Sequence, residues 1–282
     1  MKNEFNSIVN NLIEYGERSD NIHAMIIIGS YARQERFADK YSDIDLILVV
    51  DNPEYFIESD DWLTDIGQFH ISFIEDTITG GKERRILFYN AFDVDLIPIL
   101  KDASIDLIEK AKPILEQGYR VVLDKIGIVH TLPSIKEKNQ SNLLFNEKEY
   151  INTVNDFWYH VIWTVKKLNR GELWTAKFCF DSYMKWKLLS MIELYSQLTN
   201  GNDYNTWYSG RFLEEWVEPW IIDRLSKCFS HYDREDMING LLNTMDLFRD
   251  IVVEIAEKLN FKYPKESDEY TTTWIKKSYF KS

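Results

Sequence analysis

Residues 27–50 bring together groups suited to phosphate and metal chemistry. Ile27-Ile28-Gly29-Ser30 closes one apolar stretch, and Asp43-Ile44-Asp45 opens another, Leu46-Ile47-Leu48-Val49-Val50. Side chains alternate across a strand, so Asp43 and Asp45 share a face. Two like charges held side by side repel, and a divalent cation removes that cost. Paired hard oxygen ligands suit Mg²⁺, which keeps water and substrate phosphate as its other ligands. Gly29 has no Cβ and allows a phosphate to approach the backbone. Ser30 offers a hydroxyl donor, and the amides of the following turn are expected to face the same anion. The pattern describes a nucleoside triphosphate held by a Gly-Ser turn, with Mg²⁺ held by Asp43 and Asp45. A plain glycine turn with an N-cap serine explains Gly29-Ser30 alone. It does not explain that turn followed by Asp-Ile-Asp running into an apolar strand.

Gly-Ser, a short gap and Asp-x-Asp between apolar residues together resemble the signature of the nucleotidyltransferase superfamily, which includes the polymerase beta-like enzymes. The resemblance implies a third carboxylate on a later strand, acting as general base or second metal ligand. Phe92-Asp93-Val94-Asp95-Leu96-Ile97-Pro98-Ile99-Leu100 offers two. Asp95, framed tightly by Val94 and Leu96, is favoured over Asp93. Apolar runs on both sides of Asn90-Ala91 read as a hairpin. Gln34 stands where small members often carry Gly, which implies a differently shaped loop after Ser30.

The chain has 282 residues, enough for one large or two ordinary domains, and its 45% hydrophobic content supports a real core. No apolar run approaches membrane-spanning length, and Met1-Lys-Asn-Glu-Phe-Asn6 lacks the features of a signal peptide. Cys179 and Cys228 are too few for a disulfide framework and read as reduced packing residues in a cytoplasmic protein. No His/Cys cluster suggests zinc. The formal net charge of −13, from 33 basic and 46 acidic residues, repels nucleic acid and favours a cationic small molecule as second substrate.

The pattern breaks near residues 130–148. Before it, Phe5, Ile8, Val9, Leu12 and Ile13 form a helical stripe. Strands are expected over 24–28, 43–50, 69–74, 85–89, 92–100 and 119–123, with a helix over 105–112. The polar segment 131–141, with Pro133, reads as a linker. After it, Val154, Phe157, Trp158, Val161, Ile162, Val165 and Leu168 repeat at helical spacing, with Gly171 as a cap. Further helices are expected over 172–198, over 212–228 with Pro219 in the middle, and from the N-cap Asp233 to Leu259. Four such helices suggest a bundle. The expected fold class is α+β: a mixed-sheet nucleotidyltransferase domain over 1–132 and a helical substrate-binding domain over 133–282.

The second half narrows the resemblance. Asp156-Phe157-Trp158, Val165-Lys166, Arg170-Gly171-Glu172-Leu173, Ala176-Lys177 and Asp181 resemble the C-terminal half of bacterial aminoglycoside 6-adenylyltransferases. Asp61-Trp62-Leu63 and the tail Leu259-Asn-Phe-Lys-Tyr-Pro264 are similar to that family too. At the turn, common members carry Glu-Gly-Ser-Arg where this chain has Ile28-Gly29-Ser30-Tyr31. The resemblance implies ATP-dependent transfer of AMP, with pyrophosphate release, to a hydroxyl of a small cationic antibiotic, streptomycin first. Lincosamides and other small acceptors are alternatives. A toxin-antitoxin type enzyme modifying protein or RNA is a further one, although its small members lack a long helical domain.

Under this reading the catalytic candidates are Asp43, Asp45, Asp95 and Asp181, and the metal ligands are Asp43, Asp45 and Asp95. The nucleotide contacts are Gly29, Ser30, Arg33 and Lys166. Asp181, Lys177, Trp62 and Trp158 are the candidates for substrate binding. Lys177 and Asp181 are four residues apart, so a surface ion pair also accounts for both.

Overall fold

The stripe Ile8, Val9, Leu12 and Ile13 folds as α1 (Lys2–Arg18) and packs its buried Val9 and Leu12 under a sheet. The computed structural model describes residues 2–33, 35–77, 80–135 and 145–279. Gln34, most of the expected linker and the Phe5 side chain lie outside the described residues. The chain divides into two compact units, 1–138 and 139–282.

The first unit holds six strands: β1 (Ile22–Ile28), β2 (Ile44–Val50), β3 (Phe69–Asp76), β4 (Lys82–Phe88), β5 (Phe92–Leu100) and β6 (Arg120–Asp124). They order as β3-β4-β5-β2-β1-β6. β2 and β5 run parallel; the other pairs are antiparallel. Central strands buried on both faces read as continuous apolar runs, as Ile26-Ile27-Ile28 and Leu46 to Val50 do. One face, with Met25, Ile27, Leu46, Leu48, Ile86, Val94 and Leu96, shares a core with α1, α2 (Pro53–Glu58) and α3 (Leu63–Ile66). The other face, with Ala24, Ile26, Ile28, Ile47, Val49 and Ile99, packs on α4 (Ser104–Lys110) and α5 (Lys112–Leu115).

Buried Arg84 ties β4 to α2. Its guanidinium donates to the carbonyls of Phe56, Ile57 and Ser59 at 3.1, 3.2 and 2.7 Å and pairs with Asp60. Those partners offset the cost of burying a charge.

The second unit is helical. α6 (Glu147–Asn169) starts with a capping box between Asn146 and Glu149. Phe157 stacks on Phe248 at 3.6 Å, and Tyr150 donates to the Val252 carbonyl at 2.7 Å, fixing α6 on α11 (Arg234–Leu259). The helix expected over 172–198 is α7 (Leu173–Phe178), a π turn (Cys179–Tyr183) and α8 (Met184–Asn200). The helix expected over 212–228 is a correction. α9 (Leu213–Trp216) stops, Val217 and Glu218 are extended, and α10 (Pro219–Leu225) begins at the proline. Proline disfavours a helical residue before it and suits the first helical position. α12 (Lys265–Tyr279) was not foreseen; its buried side chains are only Asp268, Thr271 and Ile275.

Candidate active site

The site begins where β1 ends. Gly29 has φ +68°, and Gly29–Tyr31 forms one turn of 3-10 helix. The amides of Ala32 and Arg33 donate to the Gly29 carbonyl at 3.1 and 3.0 Å. These two amides close the turn on itself. The Ser30 hydroxyl is buried without a hydrogen-bond partner among the described residues. An orphaned buried hydroxyl is uncommon, and this one suits an incoming phosphate oxygen. Arg33 turns its Nε toward the Arg36 carbonyl at 3.0 Å.

A turn built on Asp39 leads the chain back: the Tyr41 amide donates to its Oδ1 at 2.8 Å, and the Asp39 amide donates to Ser42 Oγ at 2.9 Å. Asp43 follows, then β2. In the parallel pair Asp45 is the register partner of Asp95, and on its other side it stands opposite Ile28. Asp43, Asp45 and Asp95 each offer an oxygen within 4.8 Å of the others. Asp93 is on the same strand face but outside that group.

Burial, with Asp43, Glu83 and Asp93 nearby, pushes Asp95 up to about 6, against the opposing pull of Arg85. Burial and Asp43 also raise Asp93. Crowded carboxylates of this kind fit a divalent cation, whose charge would favour their ionised forms.

Arg85, on β4, escaped the sequence reading. It stands opposite Asp95, with Nη1 3.2 Å from Asp95 Oδ2. Nothing local in Glu83-Arg84-Arg85 marks which arginine reaches the site. Strand alternation sends Arg84 to α2 and Arg85 to the carboxylates.

In the helical unit, Lys177 pairs with Asp181 and also donates to the Ser230 carbonyl at 2.6 Å. Asp181 lies in the π turn, and its Oδ1 is buried without a hydrogen-bond partner among the described residues. Lys166 is exposed on α6. Trp62 and Trp158 are corrections. They are 2% and 1% exposed, each inside the core of its own unit, and cannot stack on a sugar.

The model of the streptomycin adenylyltransferase family matches residues 1–278. The chain belongs to this family. Among relatives of this family member, the aminoglycoside 6-adenylyltransferase of Bacillus subtilis (strain 168) is 22% identical over 276 residues, 95% of each chain. That of Campylobacter jejuni is 20% identical over 270 residues, 90% of this chain and 88% of its own. A crystal structure of an aminoglycoside 6-adenyltransferase from Bacillus subtilis matches with a TM-score of 0.44 at 20% identity, covering 95% of both chains. This streptomycin adenylyltransferase family member is a nucleotidyltransferase of α+β class, and no helix among its described residues is long and apolar enough to cross a membrane.

Proposed function

We propose that this enzyme transfers AMP from ATP to a hydroxyl of an aminoglycoside, streptomycin being the favoured acceptor, and releases pyrophosphate in the cytoplasm. The observation that supports this most is the convergence of Asp43, Asp45 and Asp95 beside the Gly29-Ser30 turn. The orphaned Ser30 hydroxyl would donate to the triphosphate, with Arg33 and Lys166 as the candidate cations for it. Asp43, Asp45 and Asp95 would hold Mg²⁺, which when bound stabilises charge on the attacking and leaving oxygens. The acceptor hydroxyl oxygen bonds to the α-phosphorus, the bond to the β-phosphate bridge breaks, and the hydroxyl proton passes to a carboxylate.

Asp95 is one candidate for that base, since it stands beside Asp43 and Asp45, where the acceptor hydroxyl would meet the α-phosphorus. Asp181 is the other, with Lys177 orienting it. The acidic net charge suits a cationic acceptor. Pyrophosphate release with ATP and Mg²⁺ across aminoglycosides and lincosamides tests the reading. Streptomycin-dependent release is expected. Release with a lincosamide alone would replace the acceptor, and no release with any acceptor would remove the activity.

A further inference from the structure

Arg85 touches the most buried carboxylate of the site. Its Nη1 lies 3.2 Å from Asp95 Oδ2, its Nε 2.7 Å from Glu75 Oε2 and its Nη2 2.9 Å from Glu83 Oε1. Glu75 and Glu83 are themselves register partners on β3 and β4. The guanidinium is therefore gripped from three sides, and only one grip belongs to the metal-ligand set. Its side chain is 41% exposed, so the core does not lock it in place.

A guanidinium is always charged. Here it supplies positive charge to a carboxylate that a divalent ion would otherwise neutralise. We propose that Arg85 is a tethered competitor for the metal. It neutralises Asp95 in the metal-free protein and yields that carboxylate to the ion. Glu75 and Glu83 keep it parked beside the site after the exchange. The competition makes metal binding weak on its own and strong only when nucleotide phosphates add ligands and negative charge. This inference rests on Asp43, Asp45 and Asp95 being the metal site.

Mn²⁺ alone, titrated at pH 8 and followed by the electron paramagnetic resonance of the free ion, tests it on the full chain. Circular dichroism checks the fold of each variant. Arg85→Met should bind Mn²⁺ about tenfold more tightly than the parent, the effect of removing one charge a few ångströms from the ion. Arg85→Gln, which can still hydrogen-bond Glu75 and Glu83, should do the same and serves if Arg85→Met does not fold. Arg85→Lys should stay within about threefold of the parent, since the charge remains. Asp45→Asn should lose binding. If Asp45→Asn loses binding while Arg85→Met and Arg85→Gln bind no more tightly than the parent, the competition is wrong and the metal site stands. If Asp45→Asn binds as the parent does, the metal site is wrong and the competition falls with it.

Discussion

Gly29 and Asp45 are so close that a Cβ on Gly29 would overlap Asp45 Oδ2. The glycine is required twice, by that carboxylate and by its own φ of +68°. Gly29→Ala should therefore displace Asp45 without touching the core. Transfer should fall on the order of 10²-fold, as expected for a displaced reacting geometry, and Mn²⁺ affinity should fall with it. Metal titration and steady-state kinetics check this; unchanged values in a folded variant would make the turn purely structural.

Asp181→Asn separates acceptor chemistry from nucleotide binding. If Asp181 takes the hydroxyl proton, kcat should drop about 10²–10⁴-fold while the affinity for a non-hydrolysable ATP analogue holds. A rise in KM alone would leave Asp181 a cation contact and Asp95 the base. Unchanged kinetics would reduce Asp181 to the partner of Lys177.

Glu193, on α8, is half-buried with no hydrogen-bond or ion-pair partner among the described residues, and burial pushes it up to about 7. Its folded value lies above its unfolded one, so its neutral form favours folding. That contribution is full below about 4.5, the ordinary glutamate value, and is lost as pH rises through about 7. Glu193→Gln should raise the melting temperature at pH 8 and leave it nearly unchanged at pH 4. Thermal scans at both values check the difference, and an equal shift at both would contradict it.

Arg249 and Asp268 join α11 to α12 through two hydrogen bonds of 2.7 Å, and Tyr263 adds another of 2.7 Å to the same carboxylate. These donors hold Asp268 below the usual carboxylate range despite its burial. Its contribution is present above the unfolded value and is lost as pH falls through the lower folded one. Asp268→Asn should cost about 1.5–3 kcal/mol at pH 7, since it removes the buried partner of Arg249 and leaves only the exposed Asp246 to balance the guanidinium. Urea unfolding measures the loss, and a shift below about 0.5 kcal/mol would mark the pair as a surface bridge.

What was legible in the chain was local. Gly29-Ser30 and Asp43-Ile44-Asp45 carry their chemistry in their spacing, and Asp95 is marked by its apolar frame. Arg85 depends on the register of β4 against β5 and on Glu75 from β3, which no short window contains. Trp62 and Trp158 show the opposite limit: an aromatic in a helical pattern does not say whether it faces core or ligand. Pro219 was placed inside a helix although its φ suits a helix start. α12 was missed because Asp268 and Thr271 occupy positions where an apolar stripe would have announced it.

The most direct test of metal-assisted adenylyl transfer follows the label from ATP marked at the α-phosphate or at the γ-phosphate, with Mg²⁺ and streptomycin. The parent enzyme should place α-label on the antibiotic and γ-label in pyrophosphate, and Asp45→Asn should place neither. Transfer of γ-label to the antibiotic, or full α-label transfer by Asp45→Asn, would contradict the assignment.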